Sequence, residues 1–189
     1  MQTWKSFAAN EVTHSVAHYL TTLFELHARR GYARVSDVAK ELDVTKGSVS
    51  VQMKHLKEKG LVVEDDAHHL RLTQSGEGIA REVMHKRTIL IRFISTVLGV
   101  EPDRAEIDAC KIEHLLSKET CHQLLALVQL LLSDEPSAQK FRERLREYKI
   151  SCPSLENCSL CSVECLAEED REVSSRLDPG DEEGPRAQV

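Results

Sequence analysis

Between Val35 and Thr73 the chain reads VSDVAKELDVTKGSVSVQMKHLKEKGLVVEDDAHHLRLT, and few folds accommodate that order of signals. VSDVAKELD has the spacing of a short helix, with Ser36 placed to cap its start. DVTKG is a tight connection, and SVSVQMKHLKEKG predicts a second helix closed by Gly60. LVVEDDAHHLRLT then holds two short β-branched runs about a polar turn, the pattern of a hairpin. A helix, a tight turn, a helix and a hairpin make the winged form of the helix-turn-helix. Val38, Leu42, Val49, Met53 and Leu56 supply the apolar ladder that such a module must bury.

The flanking segments are helical as well. Val16, Leu20, Leu23, Phe24 and Leu26 or His27 recur at helical spacing from about Glu11 to Arg29, and Gly31 ends the run. Thr73 is placed to cap a long helix carrying REVMHKRTILIRFISTVL up to Gly99. Pro102 opens the helix that contains CKIEH. Ser117 starts another, ending near Ser133, and Ser137 a last one through QKFRERLREY. The expected fold is mainly α, divided as residues 1–73, residues 74–149, a Cys-rich segment at 150–167 and an acidic tail at 168–189. That tail, finishing DPGDEEGPRAQV, has the composition of a disordered segment.

No stretch reaches the roughly 18–20 apolar residues needed to span a bilayer. The opening MQTWKSFAANE lacks an apolar signal core, so a cytoplasmic location is expected. A reducing compartment disfavours structural disulfides among the six cysteines, which turns attention to metal or redox chemistry.

The net charge of −6 conceals an asymmetry. Residues 1–60 carry nine Lys/Arg against six Asp/Glu, whereas residues 150–189 carry three Arg against ten acids. A mildly basic front and an acidic end suggest different partners for the two ends, and the acidic total alone does not suggest nucleic acid. On the second helix of the module, Thr45, Lys46, Ser48, Ser50 and Gln52 are short or polar enough to approach phosphates and base edges in a major groove. Lys54 and Lys57 add attraction to the backbone, and His68, His69 and Arg71 of the hairpin could reach neighbouring phosphates. A solvated helix face would look similar in isolation; the ordered module around it argues for DNA.

CKIEH places Cys110, Glu113 and His114 at i, i+3 and i+4, one face of a helix, where they can converge on one ion. An ordinary helix with a buried Cys, an exposed Glu and a hydrogen-bonded His would share the spacing. Three donors from one helix leave coordination incomplete, so a fourth from another element would tie the two together. Cys152, Cys158, Cys161 and Cys165 form C-x5-C-x2-C-x3-C, compatible with a [4Fe–4S] cluster or with zinc. Cys121 reads as a packing residue.

Taken together, HSVAHYLTTLFELHARRGYARVSDVAKELDVTKGSVSVQMKHLKEKGLV, LTQSGEGIA, REVMHKR and LGVEPDRAEIDACKIEHLLS resemble the metal-dependent repressors of the diphtheria toxin repressor and manganese transport regulator group. The resemblance covers about residues 12 to 135. It implies a homodimer on a palindromic operator, with residues 74–149 as the dimerisation and metal-binding part. It also implies a first-helix ligand just before the Tyr-Leu pair, at His18, joined by Cys110, Glu113 and His114. Manganese-type relatives carry a carboxylate where this chain has Cys110. The softer set here favours Fe(II), with Mn(II) second; Zn, Co and Ni would bind it in vitro. Arg87 stands where the family usually supplies a histidine, and His85 is about 200° away around the helix. Ile91 and Glu106 occupy positions of an ancillary site, which is then absent or rebuilt. His14, one turn before His18, is a further donor or a surface residue. The rival readings are an iron–sulfur redox regulator sensing through the tail, a metal-dependent hydrolase, which lacks a general base here, and a metal-independent DNA-binding protein.

Overall fold

The structure is a computed structural model and describes residues 12–148. Residues 1–11 and 149–189 lie outside the described residues, and with them Glu11 and the expectations for Cys152, Cys158, Cys161 and Cys165.

Helix α1 runs His14–Arg30, with the Thr13 hydroxyl accepting from the Val16 amide and Gly31 closing it at φ 78°. A side chain is disfavoured at that left-handed φ, and the Gly31 N–H returns to the His27 carbonyl at 2.8 Å. Leu20, Leu23 and Leu26 are fully buried, so the choice between Leu26 and His27 resolves to the leucine. His27 Nε2 instead donates to the Leu70 carbonyl at 2.6 Å, tying α1 to the wing. Each such buried leucine contributes about 1.5–3 kcal/mol.

Helix α2 spans Val35–Glu41 and α3 Lys46–Glu58. The expected cap at Ser36 is corrected to Arg34, two residues earlier. Arg34 has the extended backbone of the cap residue, and the Asp37 carboxylate reaches back to its amide at 2.9 Å. A carboxylate at that position satisfies an otherwise orphan donor and complements the helix dipole. Val38, Val49, Met53 and Leu56 are buried and Leu42 half-buried, so the apolar ladder packs as expected. Strands β1 (Val62–Glu64) and β2 (Leu70–Leu72) pair antiparallel with Val63 opposite Arg71. In the turn between them, Asp65 accepts the amides of Ala67 and His69, which holds His68 at φ 60°.

Helix α4, Gln74–Ile91, starts at a Thr73 cap and packs along α1. The expected run to Gly99 is not one α-helix, because Arg92–Val97 widens into π-helical turns. The Leu98 amide bonds the Phe93 carbonyl five residues back, and Ser95 Oγ donates to the Ile91 carbonyl at 2.7 Å. That hydroxyl competes for a helix acceptor and loosens the regular ladder. Helix α5 (Pro102–Ile112) has Pro at its first turn, α6 (Lys118–Leu131) has the Ser117 cap, and α7 covers Pro136–Glu147. The last helix opens one residue before Ser137: the Glu135 carbonyl accepts from Gln139, and Pro136 needs no donor there. One compact unit ends at Arg146, so α1–α6 and nearly all of α7 belong to it.

Gly76, in the first turn of α4, lies against the Leu61 backbone just before β1. A Cβ there would meet the Leu61 carbonyl oxygen at 2.1 Å, and that carbonyl already accepts the Thr73 amide. Gly76→Ala must therefore push α4 off the module. The expected loss is about 3 kcal/mol, the upper range for overpacking, read as a lower urea midpoint with an unchanged slope.

Candidate metal centre and DNA-reading surface

His14 and His18 sit one turn apart on α1, their ring centroids 4.4 Å from each other. Across from them, Cys110 lies in the last turns of α5. His18 Nε2 and Cys110 Sγ are 3.1 Å apart, within hydrogen-bond reach although 92 residues separate them in sequence. Donor atoms of His14, His18 and Cys110 all lie within 4.8 Å of one another. Around an ion with bonds of about 2.1–2.3 Å, tetrahedral donors are about 3.4–3.8 Å apart. Reaching that spacing takes an adjustment of roughly 1 Å, within side-chain reach, so the residues fit a divalent cation.

Glu113 and His114 follow immediately after α5, Glu113 still at helical dihedrals. The His114 ring lies 5.3 Å from the His14 ring. Glu113 is fully buried, and both its oxygens are engaged by Arg87: Nε donates to Oε2 at 2.6 Å and Nη2 to Oε1 at 2.7 Å. Two parallel charge-assisted bonds are the strongest geometry available to this pair. Lys86, also buried, donates from Nζ to the Leu116 carbonyl at 2.7 Å. Neighbouring residues of α4 thus pin the turn that carries Glu113 and His114.

The local fields follow from these neighbours. Burial, reinforced by His14 and by the Arg87 guanidinium, holds His18 below the ordinary imidazole range. Burial and then His14 do the same to His114. Both rings are therefore held toward the neutral form, the form that ligates metals. Burial and the Glu113 carboxylate push the Cys110 thiol up, against the pull of Arg87. His85, by contrast, lines a separate cleft with Glu82, Lys118 and His122, away from this cluster.

On α3, Thr45, Lys46, Ser48, Ser50, Lys54 and Lys57 are exposed and Gln52 is half-buried. Thr45 caps the helix, accepting the Ser48 amide at 3.1 Å, and Ser50 Oγ donates to the Lys46 carbonyl. Lys57 is committed to Glu64 of the wing at 2.7 Å. In the wing, His68 pairs with the same Glu64, and Asp65 takes His69 and Arg71. The expected phosphate contacts from the wing would thus have to compete with internal partners, leaving Lys46 and Lys54 as the cations of α3 without an acidic partner among the described residues. Val51, which sequence reasoning passed over, is 60% exposed on this face. An apolar side chain there suits a thymine methyl in the major groove.

These two surfaces, a reading helix and a metal-competent cluster joined through α1, coincide with two matches along the chain. Residues 11–70 match the family model described as iron dependent repressor, N-terminal DNA binding domain. Residues 73–140 match iron dependent repressor, metal binding and dimerisation domain. The chain belongs to the iron-dependent repressor family. Its members are DNA-binding transcriptional regulators that bind divalent metals, and not enzymes. It is 28% identical over 138 residues to the HTH-type transcriptional regulator MntR of Lysinibacillus sphaericus (strain C3-41), covering 73% of this chain and 99% of that protein. To the MntR of Bacillus pumilus (strain SAFR-032) it is 31% identical over 128 residues, covering 67% and 88%. Among solved structures it is similar to T. acidophilum IdeR, at 26% identity and a TM-score of 0.53 over 62% of this chain and 54% of that one. Similarity to the manganese regulator SloR, at 24% identity and a TM-score of 0.56 over 60% and 53%, shows the shared fold. The chain spans about half the length of these two solved chains.

Within the family frame, the departure at Arg87 has a structural counterpart in the Glu113 pair. No sequence signal joined those two residues, which lie 26 positions apart. The helical spacing of His14 and His18 was the only hint that His14 belongs with the cluster.

Proposed function

We propose that this chain is a homodimeric, metal-activated repressor in which a divalent ion joins α1 of the DNA-binding module to the end of α5. The observation that carries it is the 3.1 Å approach of His18 Nε2 to Cys110 Sγ, two donors on two elements. A bound cation supplies a charge both donors share. His18 and Cys110 then hold α1 in one position, which sets where α3 stands relative to the second copy. Such a ligand biases the equilibrium only as far as its affinity differs between the two arrangements. His114, from the same helix end, adjoins these donors with its ring 5.3 Å from that of His14, whereas Glu113, which the sequence expectation placed among the ligands, is paired with Arg87.

Exposed apolar surface also supports the reading. Ile107, Ile112, Leu127 and Leu130 are large apolar side chains left exposed on α5 and α6, as a dimer-forming half requires. Two-fold symmetry then implies a palindromic operator with half-sites about 34–36 Å apart, or a multiple. A thiolate with imidazoles favours Fe(II), with Mn(II) second. The regulated genes would be those of metal uptake, and the protein cytoplasmic. Among the described residues no helix is long and apolar enough to cross a membrane.

The test uses the full chain under anaerobic conditions with a duplex selected from a random pool in the presence of Fe(II). Chelation should weaken binding by up to about 100-fold for each ion the DNA-bound dimer holds, the limit set by linkage when metal stands at 100 times its dissociation constant. Affinity should also fall steeply with salt, as Lys and Arg displace counterions. Binding that ignores the chelator would identify a metal-independent DNA-binding protein instead.

A further inference from the structure

The carboxylate of Glu113 points to a specific division of labour around the ion. It is fully buried, engaged at both oxygens by a bidentate guanidinium, and absent from the group of donors that lie within 4.8 Å of one another. His14 takes its place in that group, from the first turn of α1, with its ring 4.4 Å from His18 and 5.3 Å from His114. We propose that this is a nitrogen–sulfur site, built from His14, His18 and Cys110 with His114 beside them, and that Arg87 withholds Glu113 from the ion. Arg87 is then a specificity-determining residue, a fixed internal cation that balances Glu113 and leaves the thiolate as the only anionic donor. Such a set suits a four-coordinate, borderline-soft divalent cation, and it disfavours Mn(II), which prefers carboxylate, carbonyl and water oxygens. The inference rests on the reading that an ion binds between α1 and α5.

Cobalt(II) is the probe, because a thiolate donor gives a sulfur-to-metal charge-transfer band and four-coordination gives intense visible bands. The titration uses the full chain with Cys152, Cys158, Cys161 and Cys165 replaced by serine, so that their thiols add no signal. Both bands should be present with His14 in place. His14→Ala should weaken binding by about 100-fold or more, as for any direct donor, whereas Glu113→Gln, which keeps a hydrogen-bonding partner for Arg87, should leave affinity within about threefold and the bands unmoved. The inference is overturned if His14→Ala is silent, or if Glu113→Gln weakens binding as much as Cys110→Ser does. A silent Cys110→Ser would overturn the underlying metal reading as well, which separates the two failures. His14 is exposed, so its variant decides the matter even if Glu113→Gln does not fold.

Discussion

A chain carrying His18→Ala is expected to fold and still bind DNA weakly, and to lose nearly all of the gain that metal confers. His18 is the α1 donor nearest the thiol, so its removal leaves the α5 donors without their firmest link to the reading module. Loss of even an outer-sphere partner costs 10–100-fold in metal affinity, and a direct donor should cost at least about 100-fold. With metal at 100 times the wild-type dissociation constant, linkage caps the gain at about 2.7 kcal/mol per chain. A hundredfold weaker site at the same metal concentration contributes about 0.4 kcal/mol per chain, or a factor of about four in the DNA affinity of the dimer. The checks are operator binding with and without metal, and circular dichroism to establish that the helices persist. A variant that stays fully metal-responsive at that concentration would remove His18 from the switch.

The second large effect concerns stability. Arg87→Met strips both partners from a carboxylate that has no exposure to water. Breaking one side of a buried pair typically costs about 3–5 kcal/mol, because the remaining charge is left unpaired in a poor solvent. For a unit of this size that is a fall in melting temperature of roughly 10–20 °C, at fixed protein concentration. Arg87→Met combined with Glu113→Leu should recover most of the loss, since replacing the whole pair by apolar groups of similar volume is often close to neutral. A single variant melting within a few degrees of wild type would show that the stranded carboxylate costs little, and a double variant no better than the single would show that the loss does not come from the unpaired charge. The same logic distinguishes Glu113→Ala from His18→Ala. The first strands Arg87 and should disturb the fold, whereas the second touches only the cluster.

Much of this architecture is legible from residue order because it depends on local chemistry. Thr13, Thr45, Thr73 and Ser117 cap helices since their hydroxyls reach amides three residues on. Gly31 ends α1 because its backbone tolerates a left-handed φ. The ladder from Val38 to Leu56 packs because its period matches the helix. Where a local rule was misassigned, a neighbour competed for the same groups: Asp37 serves the Arg34 amide in place of a Ser36 cap, and Ser95 takes the Ile91 carbonyl and opens the π-helical turns.

The winged module, the helical order and the i, i+3, i+4 spacing at 110–114 follow from residue order, because contacts within a few residues set them. Which side chains meet depends on long-range packing. His18 reaches Cys110 across 92 residues, His14 joins them, and Glu113 turns to Arg87. The physical reason is that a carboxylate stripped of water binds whichever cation lies closest in space, and the packing of α4 against α5, which no short-range pattern encodes, puts a guanidinium there.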